Sequence, residues 1–326
     1  MRAILVTQLG GPDKLILGDA STPIINDNQV LIEVHYAGIN FPDTLIIQGK
    51  YQFQPELPFS PGGEISGIVK KVGANVKHLK EGDRVISGCG WGGYAESVAS
   101  FGSNTIRLPD ELPLREGAIL LQTYATTYHA LIDRGNVQDG EIMLVLGATG
   151  GTGTAAVQLG KAFGLQVIAV ASTDEKRQFC LNQGADWVLN PNDPEFRNKI
   201  QEITRKKGLD VIYDPVGGLM SETCFRSMGF GGRHLVVGFA QGEIPRLPWN
   251  LPLLKSASIV GVFWGGFFRE FPDKNAMNIK ELFTLWTKGL IKPIVHEELT
   301  LKEAPKGLEQ LLNKNVIGKL VVNVKS

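Results

Sequence analysis

Leu146-Gly147-Ala148-Thr149-Gly150-Gly151-Thr152-Gly153 is the stretch whose reading decides the fold. An apolar run, Ile142-Met143-Leu144-Val145, feeds straight into it, and a helical pattern follows. That is the strand, turn and helix context a dinucleotide fingerprint needs. Ala148, Gly150 and Gly153 take the spacing of its three small residues. The first permits the tight turn, the second lets the backbone approach a pyrophosphate, and the third lets helix and strand pack closely. Gly151 and Thr152 open the helix, whose free N–H groups and positive dipole end suit phosphate.

The pattern continues for more than a hundred residues. Gln166 to Val170 reads as a second strand, Asp174 to Gln183 as a helix, Trp187 to Leu189 as a strand and Phe196 to Lys206 as a helix. Leu209 to Tyr213, His234 to Gly238 and Ile259 to Phe263 complete the series. Apolar strands alternating with amphipathic helices imply a parallel sheet covered on both faces, with ligands at the carboxyl ends of its strands.

Outward from this core, 326 residues are long for one hydrophobic core, so two domains are expected. The 33 basic and 33 acidic side chains cancel, which gives no electrostatic reason to expect nucleic acid or an anionic membrane as partner. Cys89, Cys180 and Cys224 are widely spaced and form no C-x-x-C. They fit a reducing compartment and neither a disulfide framework nor a zinc cluster. The first residues read as a strand too short for a signal segment, and no 18-residue apolar run occurs, so a cytoplasmic protein is the expectation.

Residues 1–118 are rich in Gly and Pro, with strand-like pieces at Ala3–Thr7, Gln29–Tyr36, Gly62–Val72 and Asp83–Ser87, the pattern of a largely β domain with functional loops. Helical material from Ala118 to Ile132 leads into a nucleotide domain placed at 119–264. Within 265–326, helices at Ala276–Lys288 and Leu301–Leu312 and strands at Ile294–Leu299 and Gly318–Val324 have no fingerprint of their own and are candidates to complete the first domain.

A second signature, Gly62-Gly63-Glu64-Ile65-Ser66-Gly67 followed by Gly73 and Val76, resembles the medium-chain dehydrogenase/reductase pattern G-H-E-x2-G-x5-G-x2-V, with Gly63 in place of the histidine. Ala37 to Thr44, Gln48 to Tyr51, Pro58 to Gly62, Gly82 to Val85, Asp210 to Gly218 and Gly261 to Gly265 narrow the resemblance to the zinc-free, zeta-crystallin-like quinone oxidoreductases. The resemblance spans the chain. It implies an α/β fold in which a Rossmann doubly wound parallel sheet is inserted in a mainly β, GroES-like catalytic domain made from both termini, with a cleft between domains and a homodimer as assembly. Zinc members carry ligands at the positions of Asn40 and Gly63. Without thiolates the tetrahedral N/S set zinc prefers cannot be assembled, so no metal is expected. His35 and His129 are read as ordinary half-buried histidines.

NAD-binding units carry an Asp or Glu about 20 residues past the glycines that accepts hydrogen bonds from the ribose 2′-OH. Ala171 takes that position here, followed by Ser172 and, beyond Asp174 and Glu175, Lys176. A 2′-phosphate would meet no facing anion, and Ser172 and Lys176 are its candidate donors, so NADPH is the expected cofactor. The alternative for Lys176 is a solvated helix charge. Pro191 replaces a tyrosine frequent in the family, and Asp174 and Glu175 would weaken the preference if turned inward. By resemblance, Asn40, Thr126, Val216, Gly238, Phe239, Ala240, Phe263, Trp264 and Lys319 also line the cofactor. For the three aromatics the alternative is core or dimer packing.

A site with NADPH and no metal suits direct hydride transfer to a small electrophile such as a quinone, whose conjugation stabilises the anion formed. Asn40 and Thr126 are the candidate catalytic donors, with Asp43 and Tyr51 on the acceptor side. Asp43 is equally readable as a carboxylate that fixes its loop. Leu45 and Ile47 replace a tyrosine and an arginine found in relatives, making the acceptor pocket more apolar. Two other functions stay open: an alkenal or enoyl-thioester reductase, the latter needing a basic entrance from residues such as Lys50, Lys255 and Arg269, and an NADPH-binding protein with a structural or sensing role.

Overall fold

A computed structural model describes residues 1–314 and 316–326. The chain forms two compact units, Met1–Gln122 with Pro293–Ser326, and Thr123–Lys292. Both boundaries lie beyond the expected 118/119 and 264/265. The larger correction concerns the helix Pro272–Thr287, which belongs to the second unit. It buries Ile279 and Leu282 and is tied down by Asp133, which accepts from Asn278 Nδ2 at 2.8 Å and pairs with Lys274 Nζ at 2.8 Å.

The second unit is built on a six-stranded, wholly parallel sheet. Its spatial order is Trp187–Leu189, Gln166–Val170, Ile142–Val145, Leu209–Asp214, Met228–Val236, Ser258–Gly261. This is the 3-2-1-4-5-6 order of a doubly wound dinucleotide fold, whose switch point lies between the first and fourth strands. Met143, Leu144 and Val145, and Val211, Ile212 and Tyr213, are buried without alternation. Covering both faces of the sheet demands such uninterrupted runs.

In the first unit, the sheet runs Val295–Thr300, Lys319–Asn323, Gln29–Gly38, Glu64–Val72, Arg84–Ser87, Thr105–Arg107, with Ser97–Phe101 also pairing Gln29–Gly38. The C-terminal strand Lys319–Asn323 lies antiparallel to Gln29–Gly38, pairing Val321 with Gly38 and Val322 with Ala37. That pairing closes the unit from both chain ends and sets Lys319 beside the residues that follow Gly38. Val30, Ile32 and Val34 point into the core while Gln29, Leu31 and Glu33 are half-buried, the period-two pattern of a sheet with one buried face. A separate ribbon pairs Arg2–Leu5 with Ile16–Asp19.

Around the helix expected from Ala118 to Ile132, the backbone changes winding repeatedly. The helix Leu114–Gly117 is followed by π-helical Leu121–Ala125, a short α-turn Thr126–Tyr128, and π-helical His129–Arg134. Such insertions are rare and recur at functional sites.

Candidate functional site

The glycine loop begins where Val145 leaves the sheet. Gly147, at φ +56°, is the residue in the left-handed region, so it makes the tight turn assigned from sequence to Ala148. Ala148 is buried and donates its N–H to Val170 O at 3.3 Å. A Cβ at Gly153 would lie 2.2 Å from Gly147 O and 2.8 Å from Ala148 Cα, so only glycine lets the helix Gly151–Ala162 sit this close to the strand. A Cβ at Gly150 would meet only Gly147 O, at 3.5 Å. The backbone there is open to a ligand, and the N–H groups of Gly151, Thr152 and Gly153, in the first helical turn, have no intrahelical acceptor. Geometry and donor set fit a pyrophosphate.

Across the switch point, Asp214 ends its strand and organises the next turn. Its Oδ1 accepts from Val216 N at 2.9 Å and Gly217 N at 2.8 Å, and its Oδ2 accepts from His234 Nε2 at 3.0 Å. Val216 thereby packs on Gly147, where a Cβ would come within 2.8 Å of Val216 Cγ2. Gly238, Phe239 and Ala240 lie on the same edge; Gly238 N donates to Asp214 O at 3.3 Å and Ala240 N to Pro215 O at 3.1 Å. Val216 therefore sits against the glycine loop, and Gly238 and Ala240 are tied to the turn that Asp214 organises. Trp264 takes its alternative reading, core packing, and not a place at the cofactor. The last strand stops at Gly261, and Trp264 begins the helix Trp264–Glu270, buried, with Nε1 donating to Asn275 Oδ1 at 2.9 Å. Its ring serves the core, and Phe263 is exposed at the cap of that helix.

At the end of the second strand Ala171 is buried and presents no carboxylate, Ser172 is exposed, and Thr173 caps the helix Asp174–Asn182 by accepting from Lys176 N at 3.2 Å. Lys176 is half-buried. The sequence reading passed over Arg177, whose Nη1 donates to Ala171 O at 3.0 Å and whose Nη2 donates to Asp174 Oδ1. Its signal was only an i,i+3 charge pair.

In the first unit, a buried polar cluster surrounds Asn40. Lys319 Nζ donates to Asn40 Oδ1 at 2.7 Å and to Ile39 O, while Asn40 Nδ2 donates to Glu64 Oε2 at 3.1 Å and to Gly38 O at 3.4 Å. An ammonium can only donate and a carboxylate only accept, so the two neighbours fix the amide's orientation. Asn40 therefore spends both donor hydrogens inside the cluster, which corrects its reading as a direct oxyanion donor. Lys319 likewise directs two of its three N–H donors to Asn40 and Ile39 and is 7% exposed, which makes it the donor that orients Asn40. Glu64 Oε1 accepts from Leu121 N at 2.6 Å and Gln122 N at 3.1 Å, holding the start of the π-helical segment that leads to Thr126. Thr126 itself is half-buried.

Asp43 is also buried. Asn40 N donates to it at 2.8 Å, Gly63 N at 3.0 Å and Tyr94 Oη at 2.9 Å. This resolves its two readings in favour of the loop-fixing carboxylate and corrects the acceptor-side one. Tyr51 is half-buried, packed on the unit's core, with its ring 6.4 Å from that of Phe53. Burial raises Glu64 to about 7 against the lowering pull of Lys319 and its hydrogen bonds, raises Asp43, and lowers Lys319 to about 8 against the two carboxylates.

His129, read as half-buried, is buried, with Nδ1 2.9 Å from Asp133; His35 is half-buried beside Glu33. Lys255 Nζ donates to Met228 O, at the amino end of its strand and so at the edge of the sheet opposite the glycine loop. A basic entrance to the cofactor edge gains nothing from it. Among the described residues no group of three or more His, Cys, Asp or Glu side chains is placed to hold a metal ion, and no helix is long and apolar enough to cross a membrane.

Two units of this kind define a medium-chain dehydrogenase, and sequence comparison agrees. The family model described as an alcohol dehydrogenase GroES-like domain matches residues 26–110, and that described as a zinc-binding dehydrogenase matches 151–279. The chain is 36% identical over 328 residues to a quinone oxidoreductase-like protein 2 homolog of Nematostella vectensis, covering 99% of this chain and 89% of the relative. It is 34% identical over 325 residues to a quinone oxidoreductase of Homo sapiens, covering 99% and 97%. The Escherichia coli quinone oxidoreductase complexed with NADPH superposes with a TM-score of 0.93 at 29% identity, covering 99% and 100%. The chain belongs to the quinone oxidoreductase family of medium-chain dehydrogenases/reductases.

Proposed function

We propose that this chain is an NADPH-dependent reductase that delivers hydride to a quinone or a related electron-poor acceptor without a metal. The observation that carries the cofactor is the pairing of an open glycine loop with a strand end that has Ala171 in place of a carboxylate. NADPH, when bound, supplies the hydride. The backbone N–H groups of Gly151, Thr152 and Gly153 hold the pyrophosphate, Val216, Gly238, Phe239 and Ala240 wall the loop, and Ser172 and Lys176 take the 2′-phosphate. Thr126 remains the candidate donor to the acceptor oxygen, with Tyr51 as an acceptor-side ring. Asn40 is a positioning residue that holds the loop before Phe41–Ile46 through Lys319 and Glu64.

Metal-free chemistry is supported by the donor set. Asn40 stands at one ligand position of zinc relatives with both ends of its amide engaged. Gly63 stands at the other, where a Cβ would press to 3.0 Å from Gly90 O. The quinone acceptor rests on the names of the relatives. Leu45 lies in the helix Phe41–Ile46 and Ile47 is buried in the unit's core, which corrects the expectation that Ile47 makes an acceptor pocket more apolar. We further infer a cytoplasmic homodimer, supported by the open edge strand Ser258–Gly261 and the exposed apolar residues Trp249, Leu253, Leu254 and Ile259 on and beside it.

The test is NADPH oxidation measured side by side with a small quinone, an alkenal and a short enoyl-CoA. Fastest turnover is expected with the quinone. Preference for the enoyl-CoA would replace the acceptor, and negligible turnover with all three despite tight NADPH binding would favour a sensing role.

A further inference from the structure

The turn after the second strand carries a cation whose partners suggest a task beyond holding the helix. Arg177 is anchored on one side by the carbonyl of Ala171, the residue standing where an NAD-binding unit places its ribose carboxylate. On the other side it meets Asp174, whose side chain is fully exposed, whereas that of Arg177 is 19% exposed. These two partners differ in kind. The carbonyl is part of a sheet edge fixed by Ala171 N donating to Leu189 O at 3.0 Å. The carboxylate is a solvent-exposed partner three residues away on one helical turn, and ion pairs of that type contribute little. A guanidinium has five donors in a planar fork suited to phosphate oxygens.

We propose that Arg177 is a second cationic contact for the cofactor 2′-phosphate, and that the Asp174 carboxylate holds its guanidinium until the phosphate displaces it. The assignment rests on the NADPH reading above and names what would make that preference specific to this chain. The anchored Nη1 keeps the fork at the strand end, so exchanging one acidic oxygen for another at Nη2 requires no refolding of the turn. Once displaced, Asp174 is no longer neutralised by Arg177 and becomes a repulsive neighbour of the phosphate. Replacing Asp174 and replacing Arg177 should therefore act in opposite directions.

Titration of the full chain with NADPH and, separately, NADH, followed by cofactor fluorescence, tests this for the wild type, Arg177→Gln and Asp174→Asn. Arg177→Gln should weaken NADPH by about ten-fold or more, the scale of a charge-assisted hydrogen bond, and leave NADH within about two-fold. Asp174→Asn should tighten NADPH and leave NADH alone. Equal weakening of both cofactors by Arg177→Gln would make Arg177 a clamp on the turn and overturn the assignment, as would no effect on either. A wild type that selects NADPH with Arg177→Gln unchanged defeats this inference alone. A wild type that binds neither cofactor, or both equally, defeats the cofactor reading and the inference with it.

Discussion

Lys319→Met removes the one ammonium that faces Glu64 and Asp43 while keeping an unbranched side chain of similar length, and the structure fixes what is lost. Asn40 Oδ1 and Ile39 O lose their donor in a site with no water-exposed alternative, costing about 1–3 kcal/mol for an unsatisfied buried acceptor. Glu64, itself fully buried, loses its nearest opposite charge. Breaking a buried pair from one side typically costs about 3–5 kcal/mol in total.

The two contributions separate by pH. Glu64 is raised to about 7, so its folded form binds a proton more readily than its unfolded form and folding is favoured while it stays protonated. That stability falls as pH rises from its unfolded value of 4.5 through 7. Lys319 lowers Glu64, so its removal raises Glu64 further, and the variant is penalised most where the wild-type carboxylate is ionised. Burial lowers Lys319 to about 8, so the variant also sheds a buried ammonium's desolvation cost at both values, and the net loss should be smaller at pH 5.5 than at pH 7.5, where Glu64 is left charged and unpaired. Hydrogen exchange of Gln29–Gly38, Glu64–Val72 and Lys319–Asn323, read by mass spectrometry at both values, reports the first unit without assuming that the chain unfolds in one step. A loss below about 1 kcal/mol at both pH values, or one larger at pH 5.5 than at 7.5, would refute the argument for a coupled cluster.

Further outcomes follow from other parts of the structure. Gly153→Ala drives a methyl group to 2.2 Å from Gly147 O, so it should destabilise the second unit by about 1–3 kcal/mol and abolish tight NADPH binding. Thermal melts with and without cofactor check both, and unaltered binding would contradict the helix–strand contact. Elemental analysis of purified protein should find substoichiometric zinc, with activity retained after chelation; about one tightly held zinc per chain, whose removal abolishes activity, would overturn the metal-free reading.

The parallel sheet was legible in the sequence because strands covered on both faces must be continuously apolar, so Ile142–Val145, Gln166–Val170 and Leu209–Asp214 stand out without any partner in view. The short antiparallel strands Ile16–Asp19, Ser97–Phe101 and Thr105–Arg107 did not, since each has few inward positions and is defined by its neighbours. The glycine loop was legible as a motif, but that Gly147 and not Ala148 makes the tight turn, in the left-handed conformation, is visible only in the folded backbone.

The cluster around Asn40 was the least legible part. Its residues are individually unremarkable polar side chains, and Lys319 lies 279 positions from the amide it orients. Only the strand pairing that joins the two chain ends shows that Asn40 has no donor left over and that Asp43 is interior. Glu64 was visible as part of the G-x-E signature, yet its task of holding Leu121 and Gln122 depends on a segment 57 and 58 residues away.

The most direct measurement is a single-turnover reaction of chelator-treated protein with NADPH deuterated at the transferred C4 position and a small 1,4-quinone, without oxygen. One NADPH should be consumed per quinone reduced, with a primary isotope effect on the protein-dependent rate. Oxidation no faster than in buffer, or a rate that returns only when zinc is restored, would contradict metal-free hydride transfer by this chain.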